Sequence, residues 1–268
     1  MKYRMIAVDL DGTLLTDDKR ISRGNLEALR RANDAGIHIV ISTGRAWPGV
    51  REFAGQLGVS APVITSNGAM IIDANSGEIL LKRDLEEEDA RVIAAEGRKR
   101  LTSQIVWSNK RLFGLPVDER LADYSRRFGK IPAKPLPPLT DVLRDGISKF
   151  LWYDEPERID RFQREMRELL PPSVTVCKSL PEFLEFFHGE VSKARGLARV
   201  AEYFSASMDE VIAVGDADND LPMLTEAGLA VAMGNATESV KSVADFVTET
   251  NENDGVAHVI ARFLSQNA

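Results

Sequence analysis

Two acids close the first apolar run of the chain. Asp9-Leu10-Asp11-Gly12-Thr13 follows "MIAV" directly. Residues i and i+2 of an extended segment point the same way, so Asp9 and Asp11 can serve one site. Like charges at close range repel, and burial raises the cost. A bound divalent cation and a phosphoryl group would offset that repulsion. Gly12 permits a sharp turn and a close approach of backbone to a ligand. A plain turn after a strand would use the same residues.

Three further clusters stand where apolar runs end or helices begin. Ser42-Thr43-Gly44-Arg45 follows "IHIVI"; a hydroxyl and free backbone amides there suit an anion, and ordinary N-capping suits them too. Lys193 follows Ser192, a candidate N-cap, and so falls in the first turn of a helix, where a cation opposes the dipole. An unfavourable local choice of this kind marks functional sites, although a solvated lysine is tolerated there as well. "VGDADND" places Asp216, Asp218 and Asp220 directly after a buried run. That density of carboxylates suits a hard cation such as Mg2+; an acidic helix start is the simpler alternative. An EF-hand is excluded, because the sixth and twelfth positions counted from Asp216 hold Leu221 and Ala227 instead of Gly and Glu.

The elements that must position these residues alternate. "RMIAVD" reads as a buried strand, 22–35 as a helix capped by Ser22 and stopped at Gly36, and "IHIVIS" as a second strand. A helix is expected over 47–57, then a strand at "PVIT", a turn at Asn67-Gly68, a new strand, and a hairpin partner at 77–82. This βαβαβ order predicts a parallel sheet covered by helices. Residues 83–187 carry strands and helices without polar motifs at the strand ends, and their stretch "IPAKPLPPL" is poor material for regular structure. From Val191 the earlier style returns, with helices expected over 192–204 and near 219–227. The expected domains are therefore a core of 1–82 and 188–268 and an α/β insertion of 83–187.

Composition narrows the classes of function. The 268 residues carry a net charge of −7, which disfavours bulk binding to nucleic acid or anionic membranes. The single cysteine, Cys177, reads as a packing residue and cannot form an internal disulfide. No apolar stretch approaches the roughly 20 residues that span a bilayer, so a cytoplasmic enzyme is the expectation.

In this order, the four motifs resemble the haloacid dehalogenase-like hydrolase superfamily, and within it the Cof-type phosphatases with a C2B-type cap. "SNGA" at 66–69, the region from Leu139 to Asp160 and "GLAVAMGNATESVKSVADFVT" look like the same subfamily. The resemblance implies a Rossmann-like parallel sheet with helices on both faces, plus a cap that closes over the core and selects the leaving group. It implies that Asp9 is a nucleophile forming an aspartyl-phosphate and that Asp11 is the general acid and base. Mg2+ would be held by Asp9, the Asp11 carbonyl and Asp216, while Asp220 would support the metal or orient Lys193. Thr43, the Gly44 amide and Lys193 would hold the phosphoryl group, and Asn219 would touch substrate. The implied activity is hydrolysis of small phosphorylated metabolites, sugar phosphates or phosphorylated cofactors, by a monomer or homodimer. A phosphosugar mutase and a phosphometabolite-binding regulator are the rival readings. Ala194 stands where the subfamily has glycine, and His188 and Glu190 stand where proline and glycine are usual. His188 is expected as an exposed hinge residue or a substrate contact, and Trp107 and Trp152 as cap core. Asn67-Gly68 is read first as a turn, with a role near the phosphate as the alternative.

Overall fold

The computed structural model describes residues 2–58, 60–128 and 131–263. By internal packing the chain divides into two compact units: 1–45, 50–81 and 192–268 form the first, and 46–49 and 82–191 the second. Met1 and 264–268, the outer ends of the expected core, lie outside the described residues.

The first unit begins with β1 (Met5–Val8), every residue of which is buried. A strand covered on both faces reads as a continuous apolar run, which is the mark of a central parallel strand. Helix α1 (Arg23–Asp34) starts at Ser22, whose side chain accepts the Asn25 amide, and β2 (His38–Ile41) follows. Helix α2 (Arg51–Leu57) ends at Gly58 in the left-handed region. The helix expected over 47–57 is thus shorter, since Pro48 and Gly49 confine Trp47–Gly49 to a separate 3-10 turn. Strands β3 (Val63–Thr65), β4 (Met70–Ile72) and β5 (Ile79–Lys82) form a small sheet of their own. The sequence suggested that β3 joins the parallel sheet. Instead, the reversal at 66–68 commits it to antiparallel pairing with β4, and its remaining tie is a single parallel bridge from Ile64 to Ser42.

The second unit carries α3 (Glu87–Lys99), β6 (Ser103–Ser108), β7 (Arg111–Leu115), α4 (Glu119–Arg127), β8 (Ala133–Pro135), α5 (Leu139–Asp145), β9 (Lys149–Tyr153), α6 (Pro156–Leu169), β10 (Val174–Leu180) and β11 (Phe183–His188). Its sheet runs β10-β11-β9-β6-β7-β8. The proline-rich stretch is more regular than its composition suggests. It supplies β8 at the edge of the sheet, where a missing proline N–H costs little, and the start of α5. Alternation along β9 sends Phe150 and Trp152 to a core shared with α3, α5 and α6, and Leu151 to a second core with α4 and Trp107. His188 ends β11 opposite Val174 and is buried, so it is not an exposed residue. Its Nδ1 accepts the Glu190 amide, and Arg83 lies 2.9 Å from its Nε2. Cys177 is partly buried; burial, then Glu185, pushes its thiol up to about 12.

The chain returns to the first unit with α7 (Lys193–Tyr203), β12 (Val211–Gly215), α8 (Leu221–Glu226), β13 (Leu229–Ala232), α9 (Glu238–Val243), β14 (Phe246–Val247) and α10 (Gly255–Phe263). The main sheet has the order β14-β13-β12-β1-β2, with all pairs parallel. From the centre the chain moves outward in both directions, β1 to β2 and β12 to β13. Right-handed crossovers in opposite directions place their helices on opposite faces. Accordingly α1 packs with α10 and α2, and α7 with α8 and α9 through α8. The reversal of direction falls between β1 and β12, where open α/β sheets bind ligands at the carboxyl ends of their strands. No helix among the described residues is long and apolar enough to cross a membrane.

Candidate active site

Three adjacent strands end at one place. Asp9 follows β1 and donates its amide to the Val214 carbonyl of β12 at 3.1 Å. Asp216 follows β12, and Ser42 to Gly44 follow β2. Helix α7 begins beside them, so that Lys193, fully buried, donates from Nζ to Asp9 Oδ1 and to Asp220 Oδ1, both at 2.6 Å. The other oxygen of Asp220 accepts the amides of Asp216 (3.0 Å) and Ala217 (3.1 Å). Both Asp220 oxygens are therefore engaged within the protein. Thr13 donates to Asp216 Oδ1 at 2.7 Å. Carboxylate oxygens of Asp9, Asp216 and Asp220 lie within 4.8 Å of one another.

Three acids against one buried lysine leave the cluster short of positive charge. Burial pushes the Asp9 carboxyl up to about 8, with Asp220 and Asp216 adding to the shift against Lys193. Burial likewise pushes Asp216 up to about 6, against the Thr13 hydrogen bond. Burial opposes the charge on Lys193, but Asp220 and Asp9 hold its ammonium above the ordinary lysine range. Hard oxygen donors in this deficit suit a small divalent cation.

Asp11 adds to the upward shift of Asp216 but has cations of its own. Arg45 grips it with two hydrogen bonds, Nε to Oδ2 at 2.6 Å and a terminal nitrogen to Oδ1 at 2.7 Å. Lys19 adds a third contact at 2.9 Å. Burial opposes its ionisation, yet Arg45 and then Lys19 hold Asp11 below the usual carboxylate range. In this state Asp11 is an ionised acceptor; acting as an acid requires release from Arg45 and uptake of a proton. The sequence reading of "STGR" used its hydroxyls and amides and missed the Arg45 side chain. A bidentate Arg–carboxylate pair has no local sequence signature, since the partners stand 34 residues apart.

Close approach explains two glycines. A Cβ on Gly12, whose φ is +79°, would sit 2.3 Å from Asp216 Oδ2. A Cβ on Gly215 would meet Asp220 at 2.5 Å. Thr43 accepts the Arg45 amide at 3.1 Å, and Asn219 donates to Asn67 Oδ1 at 3.0 Å. Asp218 does not join the acid cluster. It is exposed and accepts the Ser239 hydroxyl at 2.5 Å, beside the start of α9. A 3-10 turn over Asp218–Asp220, ahead of α8, separates the three acids that the sequence grouped.

Residues 6–260 match the haloacid dehalogenase-like hydrolase family. The chain belongs to that family. Among its relatives, this hydrolase is 34% identical over 264 residues to a Bacillus subtilis 5-amino-6-(5-phospho-D-ribitylamino)uracil phosphatase, covering 97% of this chain and 96% of that one. A haloacid dehalogenase-like hydrolase from Bacteroides thetaiotaomicron superposes with a TM-score of 0.87 at 32% identity, covering 97% of this chain and 99% of the other. A subclass IIB sugar phosphatase of the same superfamily superposes at 0.83 with 25% identity, over 97% and 98% of the two chains. The protein is accordingly a phosphatase of the haloacid dehalogenase-like type.

Proposed function

We propose that this phosphatase hydrolyses small phosphorylated metabolites in the cytoplasm, with Mg2+ and through an aspartyl-phosphate on Asp9. One observation carries the reading. Asp9, Asp216 and Asp220 converge within 4.8 Å, with the buried Lys193 bonded to both Asp9 and Asp220. Asp9, Asp216 and the Asp11 carbonyl would hold the ion, which supplies charge neutralisation for the approach of an anionic phosphoryl group. Asp220, engaged through both oxygens by Lys193 and two amides, is better suited to fixing Lys193 and the 216–217 backbone than to binding metal directly.

The chemistry of the side chains follows. Asp9 attacks phosphorus, the bond to the leaving alkoxide breaks, and Asp11, once protonated and free of Arg45, donates its proton to that oxygen. In the second half Asp11 takes a proton from water as the water attacks phosphorus, and Asp9 leaves as a carboxylate. Lys193, Thr43 and the Gly44 amide bind phosphoryl oxygens throughout, with Asn219 as a further contact. Phosphoryl transfer needs mainly positioning and charge stabilisation, which these groups supply. The second unit is the proposed source of leaving-group selection.

The phosphorylated-cofactor reading is supported by the ribitylaminouracil phosphatase relative, and the sugar-phosphate reading by the subclass IIB sugar phosphatase. The test is release of inorganic phosphate from a panel of phosphorylated sugars and 5-amino-6-(5-phospho-D-ribitylamino)uracil, with and without EDTA. Metal-dependent release from one class is the expected result. Turnover undiminished by EDTA would overturn the metal assignment, and phosphate moved between sugar positions without release would favour a mutase.

A further inference from the structure

The "SNGA" segment is more than a turn between β3 and β4. Ser66 and Asn67 both adopt left-handed backbone, with φ of +52° and +59°, and Gly68 follows at +100°. Left-handed conformation is uncommon for a serine, and consecutive instances hold only where the surroundings impose them. Here three neighbours do so. The Ser66 amide donates to the Arg45 carbonyl at 2.8 Å, and the Asn67 amide to the Thr43 carbonyl at 2.9 Å. Gly68 lies so close to α7 that a Cβ would stand 2.2 Å from the Ser192 carbonyl oxygen, one residue before Lys193. The segment thereby ties the 43–45 loop to the start of the lysine helix.

The Asn67 side chain sits at the middle of that tie. Its Oδ1 accepts from Asn219 Nδ2 at 3.0 Å, and an ideal Cβ on Gly44 would be 3.0 Å from the same oxygen. A carboxamide can be turned either edge outward at almost no cost in shape, so its donor edge must be selected by a partner. With Asn67 Oδ1 as its acceptor, the Asn219 NH2 group spends one hydrogen on that bond and has a second to offer an anion. We infer that Asn67 is a positioning residue of the phosphoryl site, orienting the Asn219 amide as a donor to substrate and packing against Gly44. The inference rests on the phosphatase reading above, in which Asn219 touches substrate.

Asn67→Gly separates this role from that of the turn, because glycine accepts a φ of +59° freely while the carboxamide is lost. With p-nitrophenyl phosphate as substrate, N67G should raise KM and the inhibition constant of inorganic phosphate about tenfold, the loss of one hydrogen bond to an ion, with kcat within about threefold. Both constants are independent of how much of a preparation is folded. If Asn67 acts through Asn219, the N67G/N219A double variant should be no worse than N219A alone. Constants within about twofold of wild type in N67G, or effects of the two changes that multiply, overturn the inference and leave the Asn219 assignment standing. No effect of N219A itself overturns both.

Discussion

The two units bury charge in opposite ways. In the second, Lys149 meets Glu185 at 3.1 Å, each about 5% exposed, and Ser179 adds a hydrogen bond to the same carboxylate oxygen. Asp154, also buried, faces Arg158 at 3.0 Å and Arg120 at 3.3 Å. Among the described residues there, the buried acids Glu185 and Asp154 each have a cation of their own. In the first unit three acids share Lys193, and two of them hold protons far above their ordinary range. A balanced pair has its charge offset within the protein, whereas a deficit is relieved by proton uptake or by a bound cation. The second unit thus matches its buried charges within the fold, and on the proposed mechanism the first uses its deficit for chemistry.

Three measurements would break or sharpen that contrast. The largest effect is expected from Asp9→Asn, which on the proposed mechanism lowers kcat at least a thousandfold, roughly the loss seen when a catalytic nucleophile is removed. Its urea midpoint should hold or rise, since one uncompensated charge is gone. Phosphate release near the wild-type rate would remove Asp9 from the chemistry. Next comes the second unit. Lys149→Met leaves Glu185 buried without its cation and should cost about 3–5 kcal/mol in urea unfolding, most of it recovered in K149M/E185L. A neutral single variant would show that the pair is no more structural than the acids of the first unit.

The third effect is smaller and concerns pH. Asp9 and Asp216 have folded-state values of about 8 and 6 against an ordinary 3.8. In the window between the ordinary and raised values the fold holds more protons than the unfolded chain, so stability falls as pH rises. EDTA-treated protein should lose urea resistance between about pH 4 and 8, with the loss reduced by added Mg2+ and in D9N. A flat profile would mean that the cluster carries no charge deficit.

Much of this was legible in the residues alone. The apolar runs of β1, β2, β12 and β13, the Ser22 and Ser192 caps and the sharp turn at Gly12 are written within a few positions of each other. Backbone preference and the direction of i and i+2 side chains are short-range properties, so the strand order along the chain and the acids at strand ends follow from local sequence. The edge strand β8 was obscured because proline removes the usual strand signal, and the fate of β3 because pairing partners are chosen at a distance.

What the tertiary structure alone decided is how charges and amides are matched. Arg45 finds Asp11 across 34 positions, Asn219 finds Asn67 across 152, and Lys193 finds Asp9 across 184. Asp218, adjacent in sequence to the acid cluster, turns away to the start of α9 because a single 3-10 turn rotates it off the site. Side-chain type sets what each group can do. Which partner stabilises or restrains it depends on the packing of strands and helices from distant parts of the chain, and no local pattern records that.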